Sequence, residues 1–173
     1  MAAKTQFWFS TGKVRIGPIG ATLTDADHLV GAIQSASIEV MAQKAEVMET
    51  PQTSMFPVAV GFHSGQCRVR LEMESFDRRL WTTVLNAKST PSGNADLITI
   101  DKLTQPQFFK IEIDGLDAKG KQCKATFYRA CAPGLSLNTR LTNFATMPLD
   151  VEAYPSEEAG ATLGKVCDLL FAQ

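Results

Sequence analysis

Residues 66–75, "QCRVRLEMES", alternate so strictly that Arg68, Arg70, Glu72 and Glu74 fall on one face of a strand and Val69, Leu71 and Met73 on the other. The apolar row demands a core. The other row, two cations followed by two anions, is either a solvated and ion-paired face or one that meets copies of itself. The same period recurs in "SASIEVMAQK" (35–44), with Ala36, Ile38, Val40 and Ala42 facing one way. It recurs again in "QFFKIEID" (107–114), with Phe109, Ile111 and Ile113 together, and in "KQCKATFYRACA" (121–132), with Cys123, Ala125 and Phe127 opposed to Lys124, Thr126 and Tyr128. Turn formers in "DGLDAKGK" (114–121) join these last two runs as a hairpin. Shorter strands are expected at "GKVRIGPIG" (12–20), broken by Pro18, at "LITI" (97–100) and at "TNFATMPLDVEAYP" (142–155), ending at Pro155. The run "ATLGKVCDLLFA" (161–172) fits strand and helix equally well.

One helix is predicted over 75–86. Ser75 serves as N-cap, Asp77 favours the first turn, and Phe76, Leu80 and Val84 recur at i, i+4 and i+8, with Trp81 and Leu85 widening the apolar stripe that packs on the sheet. "AKSTPSGNAD" (87–96) reads as a loop, and Asp25 could cap a short helical turn within 25–33. The fold class is therefore mainly β: a β-sandwich or barrel with one flanking helix and a long extended loop, forming a single domain over 1–173.

That loop is the segment 43–66, which holds Pro51 and Pro57 and no sustained period. It is long for a compact domain, and with Val47, Met48, Met55, Phe56, Val58, Val60 and Phe62 it is too apolar for a disordered linker. Two readings stand side by side: an arm buried by a neighbouring chain, and a β-hairpin folded over its own core. Lys44, Glu46 and Glu49 would make ion pairs between chains in the first reading and be solvated in the second.

Composition narrows the function more than the fold. The 173 residues are 45% hydrophobic and 20% charged with a formal net charge of −1, so no basic surplus points to nucleic acid as a tight ligand. The opening "MAAKTQFWFSTGK" lacks the apolar run of a signal peptide, and no stretch approaches the roughly 20 apolar residues of a membrane helix; assembly in a cytoplasm without a membrane anchor is expected. Cys67, Cys123, Cys131 and Cys167 contain no CxxC pair, and only His28 and His63 could assist them, so buried free thiols are expected rather than a metal site. Cys123 and Cys131 share strand parity but lie too far apart along one strand to bond each other.

The search for chemistry ends without a constellation. His63 and Cys67 are close in sequence but match no nucleophile motif; Gly17 and Gly20 form no phosphate-binding loop; Asp25 and Asp27 lack the remaining ligands of a calcium loop. Glu72 and Glu74 share a face as glycosidase carboxylates do, but Arg68 and Arg70 extend the row toward ion pairing. No catalytic, cofactor-binding or metal residue is assigned, and no cofactor is expected.

In order and spacing, residues 12–155 resemble the major tail tube proteins of bacteriophages. The likeness rests on "VRIGPIGATLTDADHLVGAIQSASIEV" (14–40), the long arm after it, "QCRVRLEMESFDRRLWTTVLNA" (66–87) as a strand feeding the single helix, and "APGLSLNTRLTNFATMPLDVEAYP" (132–155) as closing strands. The segment "ATLGKVCDLLFA" departs from that pattern. The resemblance implies a non-enzymatic virion protein whose six copies close a ring by joining their sheets, with rings stacking into the tail tube that conducts DNA into the host. The arm 43–66 would then contact the adjacent ring or subunit, and Arg68, Arg70, Glu72 and Glu74 would pair along or between subunits or line the channel. Implied partners are further copies of the chain, a tape measure protein, the baseplate or tail tip, a tail terminator, a sheath protein in contractile tails, and DNA in transient, non-specific passage. The tubes of contractile bacteriocin and secretion apparatuses share this architecture. A monomeric ligand-binding barrel and a hydrolase built around His63 and Cys67 are the competing classes.

Overall fold

The computed structural model describes residues 4–47, 59–74, 77–93, 95–99, 107–116, 119–133, 138–140 and 143–171. Ten strands and two short helices follow in the order β1 Lys4–Gly17, α1 Asp25–His28, β2 Leu29–Val47, β3 Ala59–Met73, α2 Arg78–Val84, β4 Lys88–Ser92, β5 Ala95–Thr99, β6 Phe109–Leu116, β7 Gln122–Cys131, β8 Asn138–Arg140, β9 Asn143–Tyr154 and β10 Cys167–Phe171. Every ladder is antiparallel. The main sheet runs β10-β7-β6-β1-β2-β3-β9-β8, and a further pairing of β7 with β9 closes six of these strands into a barrel. The chain is thus mainly β, with a barrel and a flanking helix, as its alternation predicts.

Period-2 sorting explains the core. Val14 and Ile16, Ala36 and Ile38, Val69, Leu71 and Met73, Ile111 and Ile113, Ala125 and Phe127, and Met147, Leu149 and Val151 all point inward and are buried. Burying each large side chain contributes about 1.5–3 kcal/mol. Leu80 and Val84 of α2 belong to the same cluster, with Trp81 and Leu85 packed against it, so the helix covers the barrel core. Val40 shares the inward parity of Ile38 but is 36% exposed.

Several boundaries differ from expectation. The cap of α2 is Asp77, whose carboxylate accepts from the Arg79 N–H, rather than Ser75; a helix starting there runs over 78–84 instead of 75–86. Thr24, not Asp25, caps α1. The stretch 87–96 is not a loop, because Lys88–Ser92 pairs with Ala95–Thr99 as a separate hairpin. β1 begins at Lys4, well before the strand read at 12–20. The ambiguous run at 161–172 resolves into turns followed by strand β10. On β7, Phe109 faces Ala130 and Ile111 faces Phe127, so Tyr128 and Arg129 oppose the single residue Lys110. This bulge flips the parity, and Cys131 no longer shares the face of Cys123.

The arm 43–66 is regular where it is described. Gln43 through Val47 pair with His63 back to Ala59, extending β2 and β3. Met48, Met55, Phe56 and Val58, and likewise Phe76 beside the helix, lie outside the described residues; of Val47, Val60 and Phe62 the backbone alone is described. Among the described residues β1 pairs with β2 as far as Lys4–Met41, and β9 pairs with β3 as far as Cys67–Ala153. Past those points β2 and β3 continue as a two-stranded ribbon, with no third strand among the described residues.

Candidate functional site

Two outer faces of the barrel carry its charge, and a ribbon extends from it. The first face contains the row that opens the sequence reading. Register sets Arg68 opposite Glu39 on β2 and Glu152 on β9, Arg70 opposite Ser37 and Asp150, and Glu72 opposite Ser35 and Pro148. Arg68 Nη2 lies 3.2 Å from Glu152, and Arg70 3.4 Å from Asp150 and 4.0 Å from Glu39. Ser35 Oγ donates to Glu72 at 3.3 Å. The row is therefore matched by its own neighbouring strands. Glu74 sits at the bend after β3, where its N–H donates to the Ala32 carbonyl.

The second face spans β1, β6, β7 and β10 and centres on Glu112. Its neighbours Ile111 and Ile113 point inward, so Glu112 points out, yet only 6% of it is exposed. Three long cationic side chains cover it: Lys124 Nζ at 2.7 Å, Lys110 Nζ at 3.4 Å and Arg15 Nη1 at 3.5 Å. Burial pushes this carboxyl up, but Lys124 and Lys110 outweigh it and hold the group below the usual glutamate range. Arg15 reaches on to Asp114 and Asp25, and Lys13 bonds Asp25 at 2.9 Å. Hydrogen bonds from Lys13 and Arg15 pull Asp25 down to about 2. Beside this cluster Tyr128 donates to Asp168, which pushes the phenol up to about 12 and the carboxyl down.

An open groove of about 580 Å³ runs along this face, lined by Lys13, Arg15, Asp114, Lys124, Leu170 and Phe171. Its floor needs Gly12, since a Cβ there would lie 1.8 Å from the Asp114 carbonyl oxygen where the β1–β6 register shifts. The groove's cations already face carboxylates, and its remaining offer is the exposed apolar pair Leu170 and Phe171.

A third feature was missed by sequence reasoning. Arg129 lies over the ring of Phe108 at 4.3 Å, Phe108 meets Tyr154 edge-on at 5.7 Å, and Tyr154 donates to Glu152 at 3.0 Å, raising the phenol to about 12. Phe108 and Tyr154 remain exposed, and a second groove of about 470 Å³ runs from Phe108 to Ile19 and Pro18. The signal was present: with Phe109 inward, parity turns Phe108 outward.

Of the helix residues singled out, Leu80, Trp81 and Val84 do pack on the barrel. Three residues of β3 and a register shift lie between His63 and Cys67, and the thiol of Cys67 turns into the core on the side of Cys167 instead. Among the described residues there is no cluster of three or more His, Cys, Asp or Glu able to hold a metal ion, and no helix is long and apolar enough to cross a membrane. No protein-family model and no curated protein sequence matches the chain.

Proposed function

We propose that the chain is a structural subunit that assembles with copies of itself into stacked rings, the tube of a phage tail through which DNA passes into the host. The observation that carries this reading is the β2–β3 ribbon. A two-stranded ribbon is marginal by itself in water, and its outer edges template pairing with another strand. A subunit in a tube would support it by packing it on the next ring or subunit. Edge strands β8 and β10 and the exposed pair Leu170 and Phe171 offer further surface for such contacts. The charges of both outer faces are matched within the chain, which suits a wall that DNA passes without being held. In this role the subunit needs no cofactor, carries out no catalysis, and meets the tape measure protein, baseplate or tail tip, terminator and, in contractile tails, the sheath, within the virion. The tube of a contractile bacteriocin or secretion apparatus would use the same subunit, and gene neighbours separate the two. A small ligand held inside the barrel is disfavoured by an interior filled with Phe109, Phe127, Ile111 and Leu149.

The test is negative-stain microscopy beside sizing chromatography over rising protein concentration. Rings or hollow tubes with sixfold end views are expected. A variant that joins Gln43 to His63 through an Asn-Gly turn, removing 44–62, should keep its fold and lose stacking. A monomer at every concentration would overturn the reading.

A further inference from the structure

We propose that Cys67 and Cys167 form an intramolecular disulfide on oxidation, a covalent latch that fastens β10 to β3, with which it shares no ladder among the described residues. β9 and β10 both pair antiparallel with the same edge of β7: β9 through Arg129–Cys131, β10 through Phe127 back to Cys123. β10 therefore continues the line of β9 after the loop 155–166. Cys67 stands opposite Ala153, the second-last residue of β9, and Cys167 is the first residue of β10. Both face the core side, since Cys67 lies in the row of Val69 and Leu71 and Cys167 opposite inward-facing Phe127. β10 has a ladder partner in β7 alone among the described residues, and on its other side Cys167 lies toward Cys67, near enough for the two thiols to shift one another's ionisation.

The two thiols differ in exposure, which orders the chemistry. Cys67 is buried and Cys167 half-buried, so a soluble oxidant reaches Cys167 first. With a low-molecular-weight disulfide as oxidant, the Cys167 thiolate attacks one sulfur, forms a mixed disulfide and expels one thiolate. Cys67 then loses its proton and attacks Cys167 Sγ, expelling the second thiolate. The protein loses two hydrogens and the oxidant becomes two thiols. The inference stands independently of the tube reading.

The experiment treats the full chain with oxidised glutathione, then maps peptides without reduction and records thermal unfolding. A 67–167 linkage within monomers is expected, with a Tm higher by roughly 5–10 °C that reductant reverses. Amides of 167–171 should exchange more slowly in the oxidised form. Cys167→Ser should fold, by circular dichroism, and show neither linkage nor shift, whereas Cys131→Ser should keep both. A glutathione adduct that persists on Cys167, linkages through Cys123 or Cys131, disulfide-bonded dimers, or a 67–167 link without change in Tm would each overturn the proposal.

Discussion

The two charged faces of the barrel are written in nearly the same alphabet and are worth different amounts. Around Arg70, cation and carboxylate meet in the open: the side chains of Arg70 and Asp150 are 58% and 68% exposed. Around Glu112, three cations converge on one carboxylate whose side chain is 8% exposed. Coulomb attraction in water at such distances is small and screened, whereas a pair sheltered from water is neither. Breaking the sheltered set also strands charge that has already lost its hydration. Similar alternation thus yields an exposed Arg70–Asp150 pair beside a buried Glu39 on one face, and a single buried carboxylate under three cations on the other.

The contrast is sharpest for Glu112→Ala, which leaves Lys124, Lys110 and Arg15 crowded without their shared anion. A loss of about 2–3 kcal/mol by urea unfolding is expected, and a loss under about 1 kcal/mol would place both faces in one class. Glu112→Gln keeps the shape and removes the charge, and should cost about 1–2 kcal/mol. It should also change the acid response. Glu112, Asp25 and Asp168 are held below their ordinary values, so the folded chain binds fewer protons than the unfolded one as pH falls. Their contribution is complete above the ordinary carboxylate range, and is lost between about pH 4.5 and pH 2. Unfolding measured across that window should be flatter for Glu112→Gln than for the native chain. On the other face, a double-mutant cycle of Arg70→Ala and Asp150→Ala should give coupling below about 1 kcal/mol. The smallest expected effect is that this coupling disappears at 1 M salt while the Glu112 penalty persists.

Much of the barrel was legible because local pattern and tertiary demand agree. The β6–β7 hairpin, the inward rows of β3 and β6, the end of β9 at Tyr154 before Pro155 and the Leu80–Val84 stripe all follow from periods of 2 and 3.6 residues. The failures share a cause as well. Phe7, Trp8 and Phe9 are three consecutive apolar residues, so the sequence of β1's first half shows no period to read. β4 is built from Lys88, Ser89, Thr90, Pro91 and Ser92, turn formers that cross-strand pairing with β5 overrides. The bulge at Tyr128 and Arg129 depends on how many residues of β6 lie opposite, which β7's own sequence does not state. Asp77 displaced Ser75 as cap while its N–H donates to the Val30 carbonyl at 2.7 Å, a contact from a strand some 47 residues earlier (77 − 30).

The sequence by itself determined which side chains share a face, because backbone geometry fixes that within a few residues. It therefore specified the apolar rows, the charged rows and the flanking helix. Only the tertiary structure decided what each face meets: that Glu112 lies beneath Lys110, Lys124 and Arg15 while Arg70 stays in water, that Cys67 and Cys167 come near one another from β3 and β10, and that β3 runs on past the end of β9. Those outcomes depend on register between strands up to 100 residues apart (167 − 67) and on where the barrel closes. Register of that kind is set by the whole set of ladders at once, and no local window of the chain contains it.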